Sequence, residues 1–159
     1  MHTTYAQVDL TSLFHNLFQI TSRLSGSCDL LAVVKANAYG HGATEIARAL
    51  IQQGVSRLAV VSVSEGTALR ESGIAKEIVV LGPMSEKQIP EAIAFRLTPV
   101  IGDSRLIPAL ARAASAQNRA LPIHIKIDTG MGRLVCRRKR FHPSSIRSRI
   151  ASRCASKVS

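Results

Sequence analysis

Leu31-Ala32-Val33-Val34-Lys35-Ala36-Asn37-Ala38-Tyr39-Gly40-His41-Gly42 is the most informative stretch of the chain. A short apolar, β-branched run delivers a lysine and then enters a glycine-containing turn. Such a run lacks strict alternation and so fits a strand buried on both faces, as in a parallel sheet. The run over residues 30–34 is followed by others at Leu58–Val63, Ile78–Leu81, Leu97–Ile101 and Ile123–Ile127. Between them lie segments with helical spacing. Ala43–Gln53 puts Ile46, Ala47 and Leu50 on one side and stops at Gly54, a common C-terminal signal. Ser64–Glu71 starts at a capping serine and ends before Gly73, and Ser85–Ala94 opens on Ser85 and Glu86 with Pro90 inside it. Asp103–Ala116 is capped by Asp103 with Leu106, Leu110 and Ala113 inward, and Thr11–Leu24 carries Leu13, Leu17 and Ile20. Residues Tyr5–Leu10 alternate like a strand outside this series.

Strand–helix units repeated in this way imply right-handed crossovers and a parallel sheet. Two architectures fit: an open doubly wound sheet or a (β/α) barrel. Five strands are counted from Leu30 onward. A closed eight-strand barrel takes about 250 residues, so a chain of 159 residues supplies only part of one.

Composition narrows the function classes. The chain is 46% hydrophobic and 19% charged, which suffices for a core. Its net charge of +11 is unevenly spread: residues 134–159 hold 8 of the 21 basic residues and no acid. The excess charge therefore belongs to the end of the chain, VCRRKRFHPSSIRSRIASRCASKVS over 135–159, and that end is expected to be a disordered basic tail. No apolar run reaches the roughly 20 residues of a membrane helix, and the first residues do not resemble a signal peptide. Cys28, Cys136 and Cys154 show neither paired nor zinc-type spacing. A cytoplasmic setting without a metal site is expected. The absence of Trp and the paucity of aromatics argue against a stacking surface for single-stranded nucleic acid.

In parallel α/β folds the C-terminal ends of the strands carry the active site. A lysine there, Lys35, either reaches solvent or is partly desolvated into an amine nucleophile toward carbonyls. Asn37 and His41 read as turn residues, and the dinucleotide pattern of spaced glycines is missing. A second segment, His124-Ile125-Lys126-Ile127-Asp128-Thr129-Gly130-Met131-Gly132-Arg133-Leu134, ends a strand in a loop bearing Arg133. Its guanidinium is either an ordinary loop cation or a bidentate partner for a carboxylate.

Taken together, Ala32–Ala43 (AVVKANAYGHGA) and Lys126–Leu134 (KIDTGMGRL) resemble the two N-terminal signatures of the alanine racemase family. Tyr5–Leu17 resembles that family's opening, and Val79–Pro83 a later strand end. Other pyridoxal-phosphate barrel enzymes, such as decarboxylases acting on amino acids, have shorter and different versions around their lysine. The resemblance implies a pyridoxal-phosphate barrel followed by a β domain, a homodimer, and interconversion of L- and D-alanine for peptidoglycan. It implies that Lys35 forms the Schiff base with pyridoxal 5'-phosphate and serves as one of two catalytic bases. By the same resemblance Tyr39 binds the cofactor phosphate and Leu81 lies in the cofactor pocket. Arg133 sits near the cofactor's phenolic oxygen and the substrate carboxylate. Lys126 matches a lysine that is carbamylated in some members.

The resemblance covers 1–134 and ends inside a motif, where Gly132-Arg133-Leu134 turns to Val135-Cys136-Arg137-Arg138. Residues 135–159 are expected to be a non-homologous tail, such as a shifted reading frame produces, on a truncated chain. The remaining phosphate contacts, the second catalytic base and the β domain are then absent, and the chain alone is expected to be inactive. The alternatives are a serine or broad-spectrum amino-acid racemase, or a non-enzymatic remnant that binds pyridoxal phosphate or nucleic acid. No specific nucleic-acid or membrane partner is expected.

Overall fold

A computed structural model describes residues 4–118, 120–127 and 130. The element order is α1 (Leu10–Thr21), β1 (Leu31–Val33), α2 (Lys35–Tyr39), α3 (Ala43–Gln52), β2 (Arg57–Val60), α4 (Val63–Glu71), β3 (Glu77–Val80), α5 (Ile89–Ala94), β4 (Thr98–Ile101), α6 (Ile107–Ala116) and β5 (His124–Ile125). Single 3-10 turns, Glu86–Gln88 and Ser104–Leu106, lead into α5 and α6. The five strands form one sheet in the order β1-β2-β3-β4-β5, every neighbouring pair parallel.

That order decides between the two architectures. A doubly wound sheet reverses its strand order at a switch point, whereas here each strand pairs with the next in sequence. Repeated right-handed crossovers without reversal put every helix on the same face. The core agrees: Leu58 and Val60 of β2, Ile78 and Val80 of β3 and Ile101 of β4 cluster with Ile46, Leu50, Leu69, Ile93 and Leu110 from the helices. Fully burying such a side chain stabilises the fold by about 1.5–3 kcal/mol. The molecule is therefore the first five strands of a (β/α)8 TIM-type barrel.

Alternation along each strand assigns the other face to the barrel interior. The pairings Val33↔Ala59, Ala59↔Val79 and Val79↔Thr98 align one row of it. At its open side Leu31 is 40% exposed and Val33 38%, while Leu58 and Ile78, facing the helices, are fully buried.

Several element boundaries differ from the sequence expectation. Helix α4 starts at Val63 rather than Ser64, because Ser62, extended at φ -128°, accepts from the Glu65 N–H and is the cap. The β2 ladder accordingly stops at Val60. Pro90 falls in the first turn of α5, where its missing N–H costs nothing. Helix α1 runs Leu10–Thr21 and leaves Ile20 exposed. Tyr5–Leu10 is not a strand: among the described residues nothing pairs with it, Tyr5 is solvent-exposed, and Asp9 caps α1 through Thr11 N–H and Ser12 Oγ. The expected tail, 135–159, lies outside the described residues.

Candidate active site

Strand β1 continues one residue past its formal end, the Val34 N–H donating to Ala59 O at 2.8 Å. The chain then turns in an unusual sense. Ala36, Asn37, Ala38 and Tyr39 have φ of 49°, 55°, 53° and 54°, a full turn of left-handed helix. Left-handed backbone costs about 1–2 kcal/mol for each residue with a Cβ, and only Asn37 is a type that tolerates it well.

Local bonds and one long-range carboxylate hold the turn. Ala38 is buried in the core, and its N–H donates to Val34 O at 2.9 Å. Asn37 works twice: its Oδ1 accepts from Ala43 N–H at 2.8 Å and its carbonyl from Gly42 N–H at 2.9 Å. This caps the entry to α3, where Gly42 itself has a φ of 90°. His41 Nδ1 lies 2.9 Å from Ala38 O; a carbonyl can only accept, so Nδ1 carries the proton. The Glu65 carboxylate accepts from Ala36 N–H at 2.8 Å and from Val61 N–H at 2.7 Å.

The turn presents Lys35 and Tyr39 together. Lys35 is half-buried, and its Nζ stands 5.8 Å from the centroid of the exposed Tyr39 ring, within the range of a cation–π contact. Leu81 follows β3, half-buried, its N–H on Val60 O at 2.9 Å. Lys126 follows β5, also half-buried, its N–H on Ile101 O at 3.0 Å. Counting by twos from the aligned row gives Val61 and Leu81, and from His124, paired with Val100, gives Lys126. These three belong to the inner face at the C-terminal edge, and Lys35 opens the turn that leaves β1 at the same edge. There Gly82 lets β3 pass close to β2, since a Cβ on it would overlap Val61 O. Arg133 lies outside the described residues.

The structure thus brings Lys35 and Tyr39 into contact and sets Leu81 and Lys126 along the same edge. Glu65 escapes sequence reasoning as a site residue. Its visible signal is Ser62-x-x-Glu65, the pattern of a helix cap, which gives no hint of the contact to Ala36. A cleft lined by Thr21, Cys28, Asp29, Gln53 and Ser56, among others, opens at the N-terminal end of β1 and β2. It contains none of the candidate residues. Among the described residues no helix is long and apolar enough to cross a membrane.

Fold and site together define one class of protein, a parallel barrel with a lysine and a tyrosine on the turn after its first strand. Residues 8–142 match the family described as alanine racemase, N-terminal domain. The alanine racemase of Carboxydothermus hydrogenoformans is 39% identical over 134 residues, which are 84% of this chain and 36% of that protein. That of Thermodesulfovibrio yellowstonii is 43% identical over 132 residues, 81% of this chain and 36% of its own length. Among solved structures, the alanine racemase of Clostridium difficile 630 in complex with cycloserine superposes with a TM-score of 0.84 at 28% identity. The superposition covers 94% of this chain and 41% of that one. The chain belongs to the alanine racemase family, and it spans about a third of the length of the curated relatives it matches.

Proposed function

We propose that this chain is the lysine-bearing part of a pyridoxal-phosphate-dependent alanine racemase, and that by itself it does not racemise alanine. The observation that carries the proposal is the left-handed turn holding Lys35 against Tyr39 at the C-terminal edge of a parallel barrel.

The donor set fits such a group. Lys35 offers an amine for the aldehyde, Tyr39 a phenol for the phosphate, and Leu81 an apolar neighbour for the ring. By the family resemblance Arg133 pairs with the substrate carboxylate, and Lys126 matches a lysine that is carbamylated in some members. When bound, the cofactor's conjugated ring takes up the electrons left behind by the departing α-proton. Lys35 Nζ receives or returns that proton on one face of the α-carbon. Inversion needs a second proton carrier on the opposite face, which the family resemblance assigns to a tyrosine from a dimer partner. Lys35 supplies one of those two carriers, so inversion by this chain waits on the other.

The test uses the 159-residue chain, pyridoxal phosphate and borohydride. A fixed adduct on the peptide containing Lys35, absent from Lys35→Ala, supports the proposal. An adduct distributed over other lysines defeats it. Turnover of L-alanine to D-alanine at ordinary enzymatic rates would overturn the claim of inactivity. A panel including serine, on a chain extended to the relatives' full length, distinguishes alanine from broader specificity.

A further inference from the structure

Ser62-Val63-Ser64-Glu65 spells a capping box, in which the glutamate normally turns back to the N–H of the capping residue. Only half of that box forms here. The Glu65 N–H donates to Ser62 Oγ at 3.2 Å, but the carboxylate reaches past the cap. One oxygen accepts from Val61 N–H, just past β2, and the other from Ala36 N–H, just past Lys35. A single carboxylate therefore ties together the C-terminal ends of two neighbouring strands. The Ala36 N–H belongs to the peptide joining Lys35 to Ala36. Its direction is set by the two backbone angles that launch the left-handed turn. Ala36 has no chemical preference for a φ of 49°, so the turn depends on partners outside it. Bonds to an ionised acceptor are roughly twice as strong as neutral ones.

We propose that Glu65 is the positioning residue for Lys35: it selects the left-handed turn and so fixes where the amine stands. This rests on the reading of Lys35 as the cofactor lysine. Glu65→Gln keeps the size of the side chain but only one acceptor oxygen, and it sets an amide donor against an N–H. Ser62→Ala is the control, since it weakens the same helix end without touching the Ala36 bond. Both are made in the full chain, which is titrated with pyridoxal phosphate and fixed with borohydride. Glu65→Gln is expected to weaken capture at Lys35 about tenfold. Ser62→Ala is expected to lower the melting temperature and leave capture unchanged. Equal capture by Glu65→Gln and the unsubstituted chain, or an equal loss in both variants, overturns the proposal.

Amide exchange supplies a check that needs neither the cofactor nor a folded variant. In the unsubstituted chain the Ala36 and Val61 amides are expected to be protected together. Free exchange at either one overturns the role of Glu65. Protection of both without any capture at Lys35 would instead remove the cofactor reading and leave the clamp standing.

Discussion

Arg70 shows how much one side chain can organise. Its Nε donates to Phe95 O at 2.8 Å, Nη1 to Ile74 O at 2.7 Å and Lys76 O at 2.6 Å, and Nη2 to Arg96 O at 2.9 Å. It thus gathers carbonyls from the chain leaving α4 and the chain leaving α5. Partial burial pulls its pKa below the ordinary arginine value, with the nearby Arg96 charge adding to the effect. Arg70→Ala is expected to destabilise the fold by about 2 kcal/mol, measured by urea unfolding. Arg70→Lys should restore little of it, because an ammonium cannot match the planar fork. The arginine is plain in the sequence, yet its four partners lie 4 to 26 positions away in the chain. The turn after Lys35 was hidden for the same reason. Ala36-Asn37-Ala38-Tyr39 contains no glycine, and Glu65, 29 positions from Ala36, supplies part of what its backbone requires. Lys35 itself was legible, because the apolar run before it defines a strand end.

Among the elements, helix ends respond to single atoms. Asp9 caps α1, and its carboxyl is held below its ordinary value of 3.8 by the bonds from Ser12 and Thr11. A depressed folded pKa contributes stability that is present above the unfolded value and lost as pH falls through the folded one. Helix α1 should therefore fray at strongly acidic pH, and Asp9→Asn should remove the effect, as read by amide exchange at Thr11. The contact of β3 with β2 is less forgiving. Gly82→Ala would push a Cβ into Val61 O, a main-chain atom with little freedom to retreat. That substitution is expected to cost about 3 kcal/mol or disrupt the site edge, measured by melting temperature. Helical spacing located α3 and its buried Ile46, Ala47 and Leu50 correctly. In the α6 segment Leu110 lies in the core and Leu106 and Ala113 pack against it partly buried, with Ile107, Ala109 and Ala114 buried beside them.

At the scale of the molecule, the two faces of the sheet differ in cover. The helix-facing side is closed, whereas Leu31, Val33 and Val61 on the inner side are each exposed by about two-fifths. Strand β1 also presents one unpaired edge among the described residues. Exposed apolar strands with free edges associate. Leu31→Lys is thus expected to reduce concentration-dependent self-association, followed by light scattering, without destabilising the fold by more than about 1 kcal/mol in urea unfolding. Five apolar runs at helical separation made a parallel sheet legible and left a doubly wound sheet open; the motifs around Lys35 and Lys126 pointed to the barrel, and the unreversed strand order bears that out.

That unbroken order has a consequence for how the chain is made. Among the described residues each strand docks on the one synthesised just before it, so none of these four pairings waits for a distant segment. Low sequence separation between partners favours fast assembly, and domains begin to fold while the ribosome is still adding residues. The lysine turn, the Glu65 bridge and the first three strands can therefore form vectorially, in the order of translation, before β4 and β5 have left the exit tunnel.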